Sequence, residues 1–517
     1  METYSIRLVP ENTSQTFEKG TLLLDALMEM GIMLKTPCGG RGTCGKCSVK
    51  VHGSLSEPTD QEKKFLINRT EYRLACQASI TGDVEVFIDR AYSIKSKQYP
   101  MVNSKGLFSI AVDIGTTSVK ISIVDHSSNR SYKLDDFLNP QRKFGYDVIT
   151  RIAAAADPKK HQIMIRQIRN ILSLSISEAC NEMSISHNQI EAISFSGNTT
   201  MLYLLFGIDV QPLGKYPYTA ERLDFNNFSA ADIDAKKFFN SKILALPAAS
   251  SFLGSDFMGG LAICHERDLT KNVYFIDLGT NGEMFLINSN KKIFATSCAI
   301  GPALEGMNIS CGMTADTGAI THAWIESGSL QYQMIGTGRP AGITGTAVID
   351  IISILLKKNI IQANGTFIKN HSHITLPSPL YFSYNSGIKQ VTLWNNLALT
   401  QKDIRNVQLA KAASLAASRI LLREAVCSEK EIKYVVISGA FGEHLEIDNF
   451  KRLEFIPNFP NAEYHYFGNT SLEAAQRVCL DKNFLKKVKQ LRERINEVEL
   501  SQKNEFNNEF INAINFN

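Results

Sequence analysis

The amino-acid sequence predicts an α/β protein in two parts: a small strand-rich domain, then a larger domain built on a repeated strand–turn–strand unit. Three observations predict it. Four cysteines, Cys38, Cys44, Cys47 and Cys76, gather near the N-terminus among glycines. An Asp-x-Gly-Thr turn between apolar strands occurs at Asp113 and again at Asp277, 164 residues later. A third apolar strand, Lys433–Ser438, runs straight into Gly439-Ala440-Phe441-Gly442.

At 517 residues the chain has room for about three domains of ordinary size. Its apolar share of 44% and charged share of 21% are those of a soluble globular protein. A net charge of +4 is too small to argue for nucleic acid. No apolar run reaches the ~18 residues of a membrane span. The opening Met-Glu-Thr-Tyr-Ser carries no charged-then-apolar signal pattern. The expectation is a cytoplasmic protein with reduced thiols, so Cys180, Cys264, Cys298, Cys311, Cys427 and Cys479 should be free and buried.

The cysteine loop reads Cys38-Gly-Gly-Arg-Gly-Thr-Cys44-Gly-Lys-Cys47, with Cys76 following 29 residues after Cys47. Four thiolates, two per iron, are what a [2Fe–2S] cluster needs. The glycines let the backbone turn tightly around it and aim N–H groups at its sulfurs. A zinc site would more usually show two separated ligand pairs, and a disulfide framework would need an oxidising compartment. The spacing resembles plant-type and adrenodoxin-type ferredoxins, with one extra residue in the first gap relative to the plant pattern.

Residues 1–91 form the first predicted domain. Tyr4–Val9 alternates as a half-buried strand. Thr21 should cap a helix running to Met30, with Gly31 as its stop. A strand at Cys47–Val51, a turn at His52-Gly53, a short helix over Thr59–Leu66 and a closing strand at Asp83–Ile88 complete it. This order resembles the β-grasp ferredoxin fold. Residues 92–105 are polar and unpatterned, as a linker is.

The larger domain is expected over 106–481, with a first lobe at about 106–270, a second at about 271–467 and a returning helix at 468–481. Ser109–Asp113 and Val119–Asp125 flank the first Asp-x-Gly-Thr turn; Val273–Asp277 and Met284–Ile287 flank the second. Gly-rich turns of this kind offer backbone N–H groups to an anion, and Thr hydroxyls add donors for phosphate oxygens. An Asp at the strand end can hold Mg²⁺ through its water shell or orient an attacking water. Glycines after a buried strand let a flat ring approach the backbone. A helix from near Asp403, rich in small residues through Leu422, should form core. Residues 482–517 should be a basic helix, with Phe484, Val488, Leu491, Ile495 and Val498 at helical spacing, and a frayed tail. His371 and His373 lie in a polar loop.

In this order, Asp113–Thr117, Asp277–Glu283 and Ser438–Gly442 resemble the phosphate-1, phosphate-2 and adenosine motifs of the ASKHA superfamily (sugar kinases, Hsp70, actin). A ferredoxin domain ahead of such an ATPase resembles the reductive activators of corrinoid proteins. Further stretches are similar to that family: Asn139-Pro-Gln141, Gly145–Ile152, Ser196–Met201, Gly301–Met307, Gly312-Met313 and Asp403–Ala412. Two departures stand out. Gly342-Ile-Thr344-Gly-Thr346 replaces the family's Gly-x-Cys-Gly-Ser-Gly, and a 14-residue linker stands where members carry an extra middle region.

The resemblance implies an ATP-hydrolysing electron-transfer activase. It would pass an electron from its [2Fe–2S] cluster to the inactive Co(II) corrinoid of a partner and restore Co(I). Cys38, Cys44, Cys47 and Cys76 would hold the cluster. Gly115, Thr116, Thr117, Gly279, Thr280 and Asn281 would clamp phosphates, with Asp113 and Asp277 at Mg²⁺ and water. Gly439 and Gly442 would face adenine or ribose, and Asn198 and Glu305 would lie in the cleft. The implied partners are a corrinoid protein or corrinoid methyltransferase and a separate electron donor, with a homodimer as one assembly. Nucleic acid and membrane are not among them. The rivals are an ATP-gated ferredoxin for another low-potential acceptor and a small-molecule kinase with a regulatory cluster.

Overall fold

The computed structural model describes residues 2–516 except 11, 31, 33, 35, 37, 39, 67–68, 88–104, 307, 369–375, 386, 395–396 and 440–444. The linker expected at 92–105 lies outside the described residues apart from Lys105, as do Gly31, Ile88, His371, His373 and Gly442.

The N-terminal sheet is built from β1 (Thr3–Val9), β2 (Ser14–Glu18), β3 (Ser48–Leu55), β4 (Tyr72–Leu74) and β5 (Ile80–Phe87), in the order β2-β1-β5-β3-β4. β1 and β5 run parallel and the other pairs antiparallel. The helix Leu23–Glu29 buries Leu23, Leu24, Ala26 and Leu27 against this sheet. Its N-cap is Leu22 rather than the expected Thr21, with no capping side chain. None is needed there. The N–H groups of Leu23 and Leu24 donate to Ala78 and Ala75 on either side of Cys76, at 2.9 Å each. The turn expected at His52-Gly53 is also corrected, because β3 continues through it. Gly53 pairs with Val84, and a Cβ there would lie 2.2 Å from the Asp83 carbonyl oxygen.

Glu62 anchors the Cys76 segment from beneath. It lies in the helix Asp60–Phe65 and completes a capping box with Thr59. Its carboxylate accepts from Arg73 Nε at 2.8 Å and from the Leu74 N–H at 3.0 Å, two residues before Cys76.

The rest of the chain contains the same sheet twice. The first copy is β6 (Phe108–Ile114), β7 (Ser118–Asp125), β8 (Arg130–Leu138), β9 (Ile190–Gly197) and β10 (Lys242–Ala245), ordered β10-β9-β6-β7-β8. The second comprises β11 (Val273–Leu278), β12 (Asn281–Ile287) and β13 (Ile293–Ala299), with two strands from further along the chain, β20 (Tyr434–Ser438) and β21 (Glu463–Tyr466), ordered β21-β20-β11-β12-β13. In both, the first three strands are antiparallel and the last two add in parallel. The repeated Asp-x-Gly-Thr turn is therefore the visible part of a duplicated sheet. Asp113 faces Ser196 in register, as Asp277 faces Ser438. Two three-stranded sheets are inserted in the second lobe: β14 (Ala319–Glu326), β15 (Ser329–Met334) and β16 (Gly342–Ile343), then β17 (Tyr381–Asn385), β18 (Ile388–Thr392) and β19 (Ala398–Thr400).

The helices Ser255–Glu266 and Thr470–Leu480 join the lobes. Their core mixes Ala111 and Val124 of the first sheet with Phe275 and Phe285 of the second. Glycine lets them come close: a Cβ on Gly259 would lie 3.0 Å from Ala474 Cβ, and one on Gly260 would lie 2.4 Å from the Phe275 ring.

The C-terminus differs most from expectation. The helix Phe484–Arg492 stops short, and β22 (Ile495–Glu497) adds in parallel to β13. The tail is not frayed. A helix at Glu505–Asn512 packs beside Gln401–Glu424, and buried Lys411 donates to the carbonyls of Ala513 and Asn515 at 2.8 and 2.6 Å. No helix among the described residues is long and apolar enough to cross a membrane.

Two predictions follow from this packing. Gly260→Val forces a branched side chain against Phe275 and should lower stability by about 1–3 kcal/mol. Denaturant unfolding of the purified protein measures this, and an unchanged midpoint would refute the close packing. Glu62→Gln leaves Arg73 without its countercharge and should cost about 3–5 kcal/mol locally. In the native protein, burial pushes the Glu62 pKa up, but hydrogen bonds from Arg73, Thr59 and Leu74 prevail and hold it below the ordinary value. Its stabilisation is therefore complete above the ordinary carboxylate range and lost as pH falls through the lowered native value. Unfolding of the N-terminal domain, followed by circular dichroism against pH, should show an acid-side loss that the variant lacks.

Candidate functional site

The loop Cys38–Cys47 returns on the segment carrying Cys76, and all four thiols are buried. They fall into two pairs, Cys38 with Cys44 and Cys47 with Cys76, each with a sulfur–sulfur distance of 3.2 Å. Two thiols beside two thiols is the donor set of a binuclear iron centre. Within each pair the sulfur–sulfur hydrogen bond favours one thiolate. Cys38 is held at about 4, chiefly by Cys44, while Cys44 is pushed up. Likewise Cys76 is lowered, first by Cys47 and then, after burial opposes it, by Gln77. Gln77 Nε2 donates to Gly40 O at 2.9 Å and so locks the loop to the Cys76 segment. Gly42 has φ +73°, and a Cβ there would lie 2.9 Å from Gln77.

Between the lobes lies a cleft of about 980 Å³. Asp113, Gly115, Thr116, Thr117, Asn198, Asp277, Gly279, Thr280, Asn281, Glu305 and Gly439 all line it. The two Asp-x-Gly-Thr turns meet directly: Thr117 Oγ1 is 3.0 Å from Thr280 Oγ1, and both Glu305 oxygens accept from Thr280 at 3.3 Å. Each turn is held from behind. Buried Arg151 donates to Thr116 O at 2.5 Å, Asn198 Nδ2 donates to Thr116 Oγ1 at 2.8 Å, and Asn139 Nδ2 donates to Gly115 O at 2.8 Å. Asn469 and Ser471 donate to opposite oxygens of Asp113 at 2.7 Å each, and Ser438 donates to Asp277 at 2.9 Å. Gly439 has φ +103°, and a Cβ there would crowd Leu278 O at 2.7 Å and Asp277 Oδ1 at 2.9 Å.

Sequence reasoning missed three groups here. Asp256 opens the helix Ser255–Glu266, Glu283 faces Asp277 across the second hairpin, and Lys120 faces Asp113 across the first. The registers carry the signal, since the residue opposite each strand-end Asp points the same way. Burial pushes five carboxyl groups of the cleft upward: Asp277 to about 6, Asp256 to about 7, and Asp113, Glu283 and Glu305 in the same direction. Mutual repulsion adds to it, since Asp277 and Asp113 both raise Asp256. Among the described residues no three of these acidic groups are placed to hold a metal ion. Thr344 and Thr346 also border the cleft and hydrogen-bond to each other at 2.7 Å. Cys298 and Cys311, both buried, have pKa values raised by that burial.

Residues 8–81 match the 2Fe-2S iron-sulfur cluster binding domain, 108–267 the RACo middle region, and 271–517 the C-terminal domain of RACo, described as the ASKHA domain. The second match corrects an expectation: the middle region is present, and it is the lobe containing β6–β10, not a 14-residue linker. The corrinoid activation enzyme RamQ of Eubacterium limosum is 31% identical over 388 residues, 73% of this chain and 65% of that protein. The chain thus spans just under two thirds of that relative's length. A [Co(II) methylated amine-specific corrinoid protein] reductase of Methanosarcina barkeri is 24% identical over 427 residues, covering 75% of this chain and 73% of the other. A solved structure titled reductive activator for corrinoid, iron-sulfur protein superposes with a TM-score of 0.72 at 24% identity, over 99% of this chain and 98% of that one, and so shares its fold. With a 2Fe-2S domain, a RACo middle region and an ASKHA domain in succession, the chain belongs to the RACo family.

Proposed function

We propose that this protein is an ATP-dependent reductive activator that returns an inactive Co(II) corrinoid, bound to a partner protein or methyltransferase, to Co(I). One observation carries the reading: Met28, Leu34 and Thr36 of the cysteine-bearing domain form part of the wall of the cleft that also holds Asp113 and Asp277. A one-electron carrier and a two-lobed ATPase site share one cavity wall, so lobe movement acts on both.

Cys38, Cys44, Cys47 and Cys76 are the proposed cluster ligands, and a bound [2Fe–2S] cluster supplies one-electron transfer at low potential. The rest falls to this chain's own side chains. Gly115, Thr116, Thr117, Gly279, Thr280 and Asn281 cradle the phosphates from both sides, joined by Lys120. Asp113 and Asp277 would hold Mg²⁺, which would supply positive charge against the phosphates, and would orient the water that attacks the γ-phosphate. Gly439 leaves room for adenine or ribose, a role proposed for Gly442 as well. The electron comes from a separate reductase and ends on cobalt, one electron per Co(II) reduced. A cytoplasmic setting, where thiols stay reduced, suits this chemistry and is part of the proposal.

Two measurements test the reading. Protein purified without oxygen, reduced and mixed with Co(II) corrinoid proteins, should generate the Co(I) absorbance with Mg-ATP and not without it. Absence of Co(I) with every corrinoid protein, while the cluster and ATPase are intact, refutes the assignment. Asp277→Asn should reduce ATP turnover by about 10²–10⁴-fold while the visible spectrum of the cluster is retained. Turnover equal to that of the unmodified protein would remove Asp277 from the catalytic role.

A further inference from the structure

Arg41 lies between Cys38 and Cys44, yet its guanidinium leaves its own domain. Its Nη2 donates to Gly306 O at 3.1 Å and also to Gly312 O. Both carbonyls belong to one tightly wound loop of the second lobe. A Cβ on Gly306 would lie 2.5 Å from Met313 O, and one on Gly312 would lie 2.2 Å from Gly306 O. Such a loop has little room to deform and moves as a piece. Gly306 directly follows Glu305, which accepts from Thr280, and Thr280 touches Thr117 across the cleft.

A second arm runs through the first lobe. Asn139, which holds Gly115 O with its side chain, also donates its N–H to Thr117 O at 2.9 Å. It caps the 3₁₀ turn Pro140–Phe144, which carries Arg142 and Lys143 toward the N-terminal domain. There Lys143 stands 3.9 Å from Glu29, and Arg142 interacts electrostatically with Cys38, Asp25 and Arg41. Arg41 Nε and Arg142 Nε and Nη1 are shut off from solvent and have no hydrogen-bond partner among the described residues. Buried cationic N–H groups without an acceptor are destabilising. The anion that suits them is a cluster with four thiolate ligands beside Cys38, all the more when an added electron makes it more negative.

We propose that Arg41 and Arg142 are a positioning pair that links the redox state of the cluster to nucleotide occupancy of the cleft. The proposal rests on the cluster and nucleotide reading above. At 3.0 Å, Thr117 and Thr280 leave no space for a phosphate between them, so an entering nucleotide must part them. The displacement reaches Arg41 through Glu305 and Gly306, and Arg142 through Asn139. Moving either cation relative to the cluster changes how well the added electron is stabilised. Linkage is reciprocal, so reduction must change nucleotide affinity by the same factor.

The test compares the dissociation constant of a non-hydrolysable ATP analogue for oxidised and dithionite-reduced holoprotein. The expected difference is about fivefold or more. It should fall toward unity in Arg41→Gln and in Arg142→Gln, the latter lying outside the cysteine loop and serving if the former fails to hold a cluster. Reduction potentials measured with and without the analogue should show the reciprocal shift, and the variants should lose it. Equal affinities in both redox states, with binding intact, overturn the linkage and leave the nucleotide reading standing. A redox-dependent affinity that persists in both variants overturns the role of this pair. No binding in either state refutes the nucleotide reading and the linkage with it.

Discussion

Five carboxyl groups gathered in one cleft set the terms for the rest of the molecule. Asp113, Asp256, Asp277, Glu283 and Glu305 come from both lobes, and burial disfavours charge on each. Such a cluster persists only where the surrounding fold is rigid enough to hold it. The duplicated sheets supply that rigidity. Each places an Asp at the end of its central strand, with a serine beside it in register. The two helices that cross at Gly259 and Gly260 then bring the strand ends face to face. Serine, threonine and asparagine donors complete the arrangement, so the carboxylates are oriented before any cation or phosphate arrives.

The same constraint explains where the N-terminal domain is seated. A small β-grasp domain could hang free on its linker, but Leu34 and Thr36 reach the cleft and Arg41 reaches the second lobe. Through Lys143 and Glu29 it also meets the first lobe. A domain touching both lobes cannot keep both contacts unchanged when the lobes rotate. The N-terminal domain and the two lobes therefore meet at one junction.

What the sequence disclosed, and what it hid, divides along backbone against tertiary demands. The cysteine loop and the Asp-x-Gly-Thr turns were legible because their chemistry fixes residue type at consecutive positions. The duplicated sheet followed from two matching strand–turn–strand segments. Asp256 and Arg41 were not legible, since each acts on groups far away in the chain and has no local signature, whereas Lys120 needed only the register of its own hairpin with Asp113. Thr21 looked like a helix cap, but the Cys76 segment already satisfies those donors with its own carbonyls. Ile495 and Val498 continue a helical spacing, yet the open edge of β13 offers hydrogen bonds that a solvated helix end lacks, and Val498 N donates to Ala295 O at 2.8 Å. The tail looked polar enough to fray because nothing nearby in sequence announces the buried ammonium of Lys411 that binds its carbonyls.

The departure from the family pattern at Thr344 and Thr346 can be read in the same physical terms. Thr344 is the N-cap of the helix Gly345–Lys357, and its Oγ1 accepts from the Ala347 N–H. Thr346 Oγ1 reaches the Thr321 carbonyl at 2.8 Å. At Thr344 a hydroxyl caps a helix better than a thiol, which is a weak acceptor, while Thr346 keeps the hydroxyl that a serine would offer. With threonine at both positions, the loop is held by its own hydrogen bonds and keeps a polar face toward the cleft. The neighbouring Cys311 does not restore a reactive thiol: burial leads the causes that push its pKa up to about 12, far from the thiolate form. On this wall Thr344 supplies a hydroxyl-capped helix start where the resemblance implies a thiol.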